Sequence, residues 1–321
     1  MAVVMAASSI SQPRASLRPK EIGALLLLAA LWGGSFMFFR IAAPALGPIV
    51  VAFLRVLIAG GALLLFARFT GHGTDWRRTP RSFLILGALN GAIPYALTAA
   101  AALNMTASLA AILNATTPLF AVAVVAARLG ERPTVRTIIG LAIGVSGVVV
   151  LLGWNRAPFD AAFAASVAAS LAAAISYAFA GAYAKSAFAG TPSLTLAIGQ
   201  QFGAAVVLAP VLIPVGIVGR EDLSLTRGVA VAVIALALLC TSVASLLYFF
   251  LIRSVGPTKT LTITFLVPIF GVLWGALFLD ESIGAATLLG LSIVLIGVTL
   301  VTGLRLRPRA NGRRASAQSA T

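Results

Sequence analysis

The sequence predicts an all-α polytopic membrane protein of ten transmembrane helices, arranged as two inverted five-helix repeats. Three observations carry this. The 321 residues are 60% hydrophobic and only 10% charged, with a mean hydropathy of +1.05, more apolar surface than a water-soluble domain can bury. The apolar residues are gathered into ten long runs. Residues 118–153 and 268–303 also match at a separation of 150 residues, without a gap, in Pro118/Pro268, Phe120/Phe270, Glu131/Glu281, Gly140/Gly290, Gly147/Gly297 and Gly153/Gly303. Matched Leu and Val would be unremarkable in two apolar stretches, but matched proline, glutamate and glycines are not, so the match marks a duplication.

A spanning helix needs about 20 largely apolar residues. The runs that qualify are 22–39, 48–69, 82–102, 106–128, 134–153, 161–184, 193–217, 228–252, 258–279 and 284–303. Their length and lack of alternation make them helical, because only helices and closed barrels satisfy the backbone in lipid. The first run follows a polar stretch ending in Arg14, Arg18 and Lys20, and no small-residue cleavage site follows it. It therefore reads as an uncleaved helix and not a signal peptide. Short connections such as Pro44–Pro48, Gly71–Asp75 and Gly219–Asp222 separate later runs. Pro94, Pro118, Pro210, Pro214 and Pro268 lie inside runs, where they kink membrane helices more often than they end them. The expected organisation is a disordered cytoplasmic tail over 1–20, a first repeat over 21–153 (helices 1–5), a second over 161–303 (helices 6–10) and a basic cytoplasmic tail over 304–321.

Orientation follows from the 23 Lys and Arg. With ten crossings, all but five of them fall on the side of the N-terminus. Arg40, Arg156, Arg220 and Arg227 fall on the other side, and Arg55 lies within a run. Such a bias places both termini in the cytoplasm. Five helices per copy is an odd number, so the second copy enters the membrane from the opposite side. Inverted repeats are the arrangement expected for alternating access around a midplane site. The front halves of the copies align at an offset of 145, pairing Trp32 with Tyr177, Arg40 with Lys185 and Arg55 with Gln200. About five extra residues are then expected within Arg220–Arg227.

Several classes are excluded. A net charge of +15 would indicate nucleic acid in a soluble protein, but here the charges flank apolar runs. The lone His72 and lone Cys240 leave no metal site and no internal disulfide, and no cofactor is expected. No G-x-x-x-x-G-K-[ST] loop occurs; "GPTKT" at 256–260 is a superficial likeness, so the chain itself does not hydrolyse ATP. A membrane enzyme would need paired acids or a nucleophile with its base near membrane depth. The eight acids are Glu21, Asp75, Glu131, Asp160, Glu221, Asp222, Asp280 and Glu281, all outside mid-membrane. A sensor or assembly subunit would need a soluble module, which the short loops do not provide. Gly140/Gly144, Gly199/Gly203 and Gly271/Gly275 have GxxxG spacing. They are read as close packing within the chain, with a homodimer left open.

The partners expected are the lipid bilayer and a small-molecule substrate. Arg55 lies about seven residues into helix 2, roughly 10 Å along its axis. A charge there costs about 2.5–3.5 kcal/mol on insertion scales, so it faces a wet cavity or a partner, or else snorkels to the outer interface or bonds helix-end carbonyls. Glu131 and Glu281 fall where helices 5 and 10 begin, a position that a helix N-terminus stabilises; proton coupling is the alternative role. Polar and aromatic side chains within runs are costly against lipid and are expected to point inward. They are Trp32, Asn90, Tyr95, Asn114, Thr116, Thr117, Tyr177, Gln200, Gln201, Tyr248, Thr262 and Thr264. The substrate-binding candidates are Trp32, Arg55, Tyr95, Asn114, Tyr177, Gln200, Tyr248 and Thr264. Asn114 and Thr264 are favoured because each lies one turn before a repeat-matched proline, whose missing N–H frees a carbonyl.

The segments "AALNMTASLAAILNATTPLFAVAVVAARLGERPTVRTIIGLAIGVSGVVVLLG" (101–153) and "LIRSVGPTKTLTITFLVPIFGVLWGALFLDESIGAATLLGLSIVLIGVTLVTG" (251–303) each resemble the second half of an EamA domain of the drug/metabolite transporter superfamily. "LWGGSFMFFRIA" (31–42) and "FLRVLIAGGALLL" (53–65) are similar to that family's first two helices. The resemblance covers about residues 20–303. It implies ten helices with both termini inside, a cavity between the halves, and transport of a small metabolite or drug across the inner membrane, often outward. It names no substrate. The front of the second repeat departs from the pattern, with weaker motif residues than the first.

Overall fold

In the computed structural model the described residues are 18–73, 79–129, 134–153, 160–212, 214 and 225–302. The C-terminal tail, most of the N-terminal tail, Asp75, Glu131, Arg156 and the Gly219–Asp222 connection lie outside them. The helices are α1 (Pro19–Leu46), α2 (Pro48–Phe69), α3 (Pro80–Ala101), α4 (Ala107–Asn114 and Thr117–Leu129), α5 (Val135–Gly153), α6 (Ala161–Ala187), α7 (Ser193–Leu212), α8 (Arg227–Val255), α9 (Pro257–Thr260 and Ile263–Leu279) and α10 (Ala285–Thr302). Nine of these carry apolar stretches of at least 18 residues; the long piece of α9 has 17. The protein is a multi-pass membrane protein with an all-helical, two-repeat architecture. The membrane face reached by Pro19 is called the near face below, and the other the far face.

Packing is symmetric between the repeats. α1 packs on α9 as α6 packs on α4, α3 lies against α6 and α7 as α8 lies against α1 and α2, and α2–α7 and α5–α10 pair across the centre. The matched glycines make the α5–α10 seam. A Cβ on Gly297 would lie 2.5 Å from the Gly144 nitrogen, and one on Gly147 would lie 2.8 Å from the Val294 nitrogen. Only hydrogen fits at such backbone approach. Gly199/Gly203 meet Phe83 of α3 and Gly271 meets Ala111 of α4, so the GxxxG pairs are spent inside the chain.

The helix ends follow local chemistry. The Arg18 N–H donates to Glu21 Oε2 at 2.9 Å. Asp160 and Thr226 cap α6 and α8 through the N–H groups of Phe163 and Val229, satisfying otherwise unpaired donors. Three features differ from the expected runs. Pro44 lies inside α1, and the break falls at Gly47, whose φ of 84° suits glycine. α4 and α9 are each interrupted ahead of their prolines. α3 and α8 each contain a π-helical turn, Ala88–Ala92 and Leu238–Val243, at matching positions 150 residues apart.

Candidate functional site

One cavity of about 440 Å³ lies between the repeats, within the usual range for small-molecule sites. Its lining includes all eight nominated residues: Trp32 (α1), Arg55 (α2), Tyr95 (α3), Asn114 (α4), Tyr177 (α6), Gln200 (α7), Tyr248 (α8) and Thr264 (α9). Asn90, Thr117 and Gln201 also line it. Thr116 and Thr262 do not; their hydroxyls turn back onto the carbonyls of Leu113 and Lys259. Sequence reading missed Ser35, Thr98, Thr241 and Ser245. These small hydroxyls are common in membrane helices, where they satisfy their own backbone, so residue type alone gave no signal.

Arg55 is 5% exposed. It neither snorkels outward nor binds helix-end carbonyls. Its Nε donates to Thr241 Oγ1 at 2.8 Å, and Thr241 Oγ1 donates in turn to the Leu236 carbonyl at 2.9 Å. The π turn of α8 presents that hydroxyl, consistent with the frequent placement of π turns at functional sites. The guanidinium carbon sits 3.8 Å from the Tyr95 ring centroid and 5.1 Å from that of Phe39. Each cation–π contact contributes about 0.5–2 kcal/mol, and a hydrogen bond to a charged group about 1.5–3 kcal/mol. Together these are large enough to offset the ~2.5–3.5 kcal/mol cost of the charge. Among the described residues Arg55 is therefore held without an acid, and those that line the cavity include no Asp or Glu.

The repeat-related place is built differently. Gln200, the counterpart of Arg55, accepts at Oε1 from Asn90 Nδ2 at 2.7 Å. Asn90 belongs to the π turn of α3 and maps onto Cys240, the neighbour of Thr241. The first π turn is further tied by Ser176, which donates to the Leu89 carbonyl at 2.7 Å. One half thus carries a cation and the other a neutral amide pair. Trp32 and Tyr248 form the aromatic wall, with ring centroids 5.5 Å apart. Thr264 donates to the Leu261 carbonyl and Thr117 to the Asn114 carbonyl at 2.7 Å.

The lining is symmetric about the middle of the bundle: far-face halves of α1, α2 and α4 (Trp32 to Phe39, Arg55, Asn114 to Thr117) and near-face halves of α6, α7 and α9 (Tyr177 to Ala184, Leu196 to Gln201, Ile263 to Pro268) meet around it. α1, α9 and α4 pack closely through Gly33, Gly271 and Ala111, with Trp274 Nε1 donating to the Ala30 carbonyl at 2.9 Å. The α3–α4 turn on the far face is held at both ends. Arg40 Nη1 donates to the carbonyls of Ala102 and Leu103 at 2.7 and 2.9 Å. Glu281 accepts from the N–H groups of Ala107 (2.7 Å) and Ser108 (3.0 Å) and from the Ser108 hydroxyl (2.5 Å). Glu281 therefore does stabilise a helix N-terminus, but that of α4 and not of α10. Asp280 takes the left-handed conformation at φ 53°, and the chain turns there so that Glu281 reaches α4 while α10 starts four residues later.

The profile of the EamA-like transporter family matches residues 19–153 and 164–303, one match per repeat. The chain belongs to the EamA-like transporter family. This family member is 28% identical over 289 residues to a protein of Escherichia coli (strain K12) named "Uncharacterized inner membrane transporter YedA", with 87% of this chain and 90% of that one aligned. It is 24% identical over 279 residues to "Protein PecM" of Dickeya dadantii (strain 3937), covering 87% and 91% of the two chains. A solved crystal structure superposes with a TM-score of 0.63 at 18% identity, over 89% of this chain and 97% of its own, a likeness of fold.

Proposed function

We propose that this chain is a secondary transporter that exports a small organic solute across the inner membrane by alternating access, with both termini in the cytoplasm. The observation that carries the reading is the cavity: its walls come from α1 to α4 and from their repeat counterparts α6 to α9. Inverted repeats around a shared site supply two related conformations facing opposite sides. The charge bias makes the near face cytoplasmic. The relative named an inner membrane transporter supports the same location and role. With no phosphate loop in the sequence, an ion or solute gradient drives the cycle.

Two measurements test this. Strains lacking or overproducing the protein, grown on a panel of toxic metabolites, amino acids and drugs, should differ in tolerance to at least one, and proteoliposomes should then move that solute. Absence of flux for every solute tried, with a partner protein co-purifying, would favour a sensor or assembly subunit. A reporter fused at the C-terminus should be active only in its cytoplasmic form; periplasmic activity overturns the orientation.

A further inference from the structure

Resting on the transport reading above, we infer that the solute is an organic monoanion, a carboxylate on a planar apolar body, taken in preference to a neutral, cationic or zwitterionic analogue. Among the described residues Arg55 is the one charged group in the cavity lining. Its Nε is spent on Thr241 and its face on Tyr95 and Phe39. Neither terminal nitrogen has a hydrogen-bond partner among the described residues, although the side chain is 95% buried. A guanidinium held by its Nε and its face, with its terminal fork free, offers the geometry that binds a carboxylate in two parallel hydrogen bonds.

The rest of the lining narrows the class. Among the described residues it contains no Asp or Glu, so the ammonium of an amine or amino acid would enter beside Arg55 without a counter-charge. The Trp32–Tyr248 wall suits a planar apolar body. Gln201 is 1% exposed and its Oε1 has no hydrogen-bond partner among the described residues, so its amide can meet one further polar group on the solute.

Four compounds on one body separate the head groups: 3-phenylpropanoate, its primary amide, 3-phenylpropylamine and phenylalanine. Binding of each to the detergent-purified full chain is read from its concentration-dependent shift in thermal unfolding. 3-Phenylpropanoate should bind at least tenfold tighter than the amide and phenylalanine, and the amine weakest. In Arg55→Gln the carboxylate-to-amide ratio should fall to near one, and in Arg55→Lys it should fall only in part. Equal binding of carboxylate and amide to the unaltered protein overturns the inference. So does tighter binding of the amine or phenylalanine, no binding by any of the four, or a ratio unchanged in Arg55→Gln. The comparison of head groups on the unaltered protein stands even if Arg55→Gln does not fold. Flux in proteoliposomes separates the two readings. Carboxylate preference without flux would sink transport alone, whereas flux of another solute class without that preference would sink the monoanion alone.

Discussion

The α3–α4 and α8–α9 turns are repeat counterparts on opposite faces, yet they are held differently. On the far face Arg40 caps the carbonyl end of α3 and Glu281 caps the amide end of α4. Each charge complements the helix dipole it meets. On the near face Lys185, the counterpart of Arg40, is exposed and makes no hydrogen bond to the described residues. The glycine seam of α5 and α10, by contrast, is the same in both copies: Gly140 meets Gly297 as Gly147 meets Gly290. The duplication thus supplies a symmetric frame, and the two faces differ in a few charged contacts at the turns.

The largest effect should come from breaking what is common to both copies. Gly147→Leu and Gly297→Leu each drive side chain into facing backbone, where overpacking costs about 1–3 kcal/mol or more. Both should lower the yield of folded protein by a similar amount on size-exclusion chromatography. If one is tolerated and the other is not, the frame is not symmetric.

Next come the far-face contacts. Glu281→Ala leaves the Ala107 and Ser108 N–H groups without their acceptor, a loss of about 1.5–3 kcal/mol for hydrogen bonds to a charged group. It should lower the unfolding temperature and open the far side. A cysteine at Ala111, fully buried against Gly271, should then react with an impermeant maleimide from that side, in a background with Cys240→Ser. Unchanged labelling would mean that the contact does not hold the far face shut. Arg40→Ala removes two bonds to carbonyls and should act in the same direction by a smaller amount, about 1–2 kcal/mol.

Much of this was legible in the residues, and the illegible part has a physical cause. Hydropathy located the ten runs because lipid imposes their length. Burial cost pointed the larger polar side chains of the runs at the cavity, whereas Thr116 and Thr262 satisfy their hydroxyls on their own backbone. Arg55 shows the boundary of such reasoning. Its depth announced a cavity or a partner, but its hold on Thr241 depends on a π turn, and no local signal separates "LLCTSV" from an ordinary helical stretch. Glu281 shows the same limit. A carboxylate before a helix implied a cap, but the left-handed Asp280 sends it to a helix 174 residues earlier, a tertiary choice that propensity does not encode. The interruption of α4 at Ala115–Thr116 and of α9 at Leu261–Thr262 likewise falls short of the prolines that signalled a kink.

The smallest effect on stability is expected at Lys185, and it is the sharpest test of the comparison. Lys185 is exposed, and removing it should change stability by no more than about 0.5 kcal/mol. The alignment at 145 residues gives it the position of Arg40 in the other copy. In the proposed alternating-access cycle, closure of the near face would bring it to the carbonyl end of α8. Lys185→Gln should therefore leave the unfolding temperature unchanged while slowing solute exchange in proteoliposomes, because only the opposite-facing state loses a contact. Lys185→Arg should keep the rate. A fall in unfolding temperature as large as that of Arg40→Ala would mean that both turns are already held in one conformation, and an unchanged exchange rate would mean that closure of the near face does not use this cation. Either result would remove the link between the asymmetric turns and the proposed alternating access.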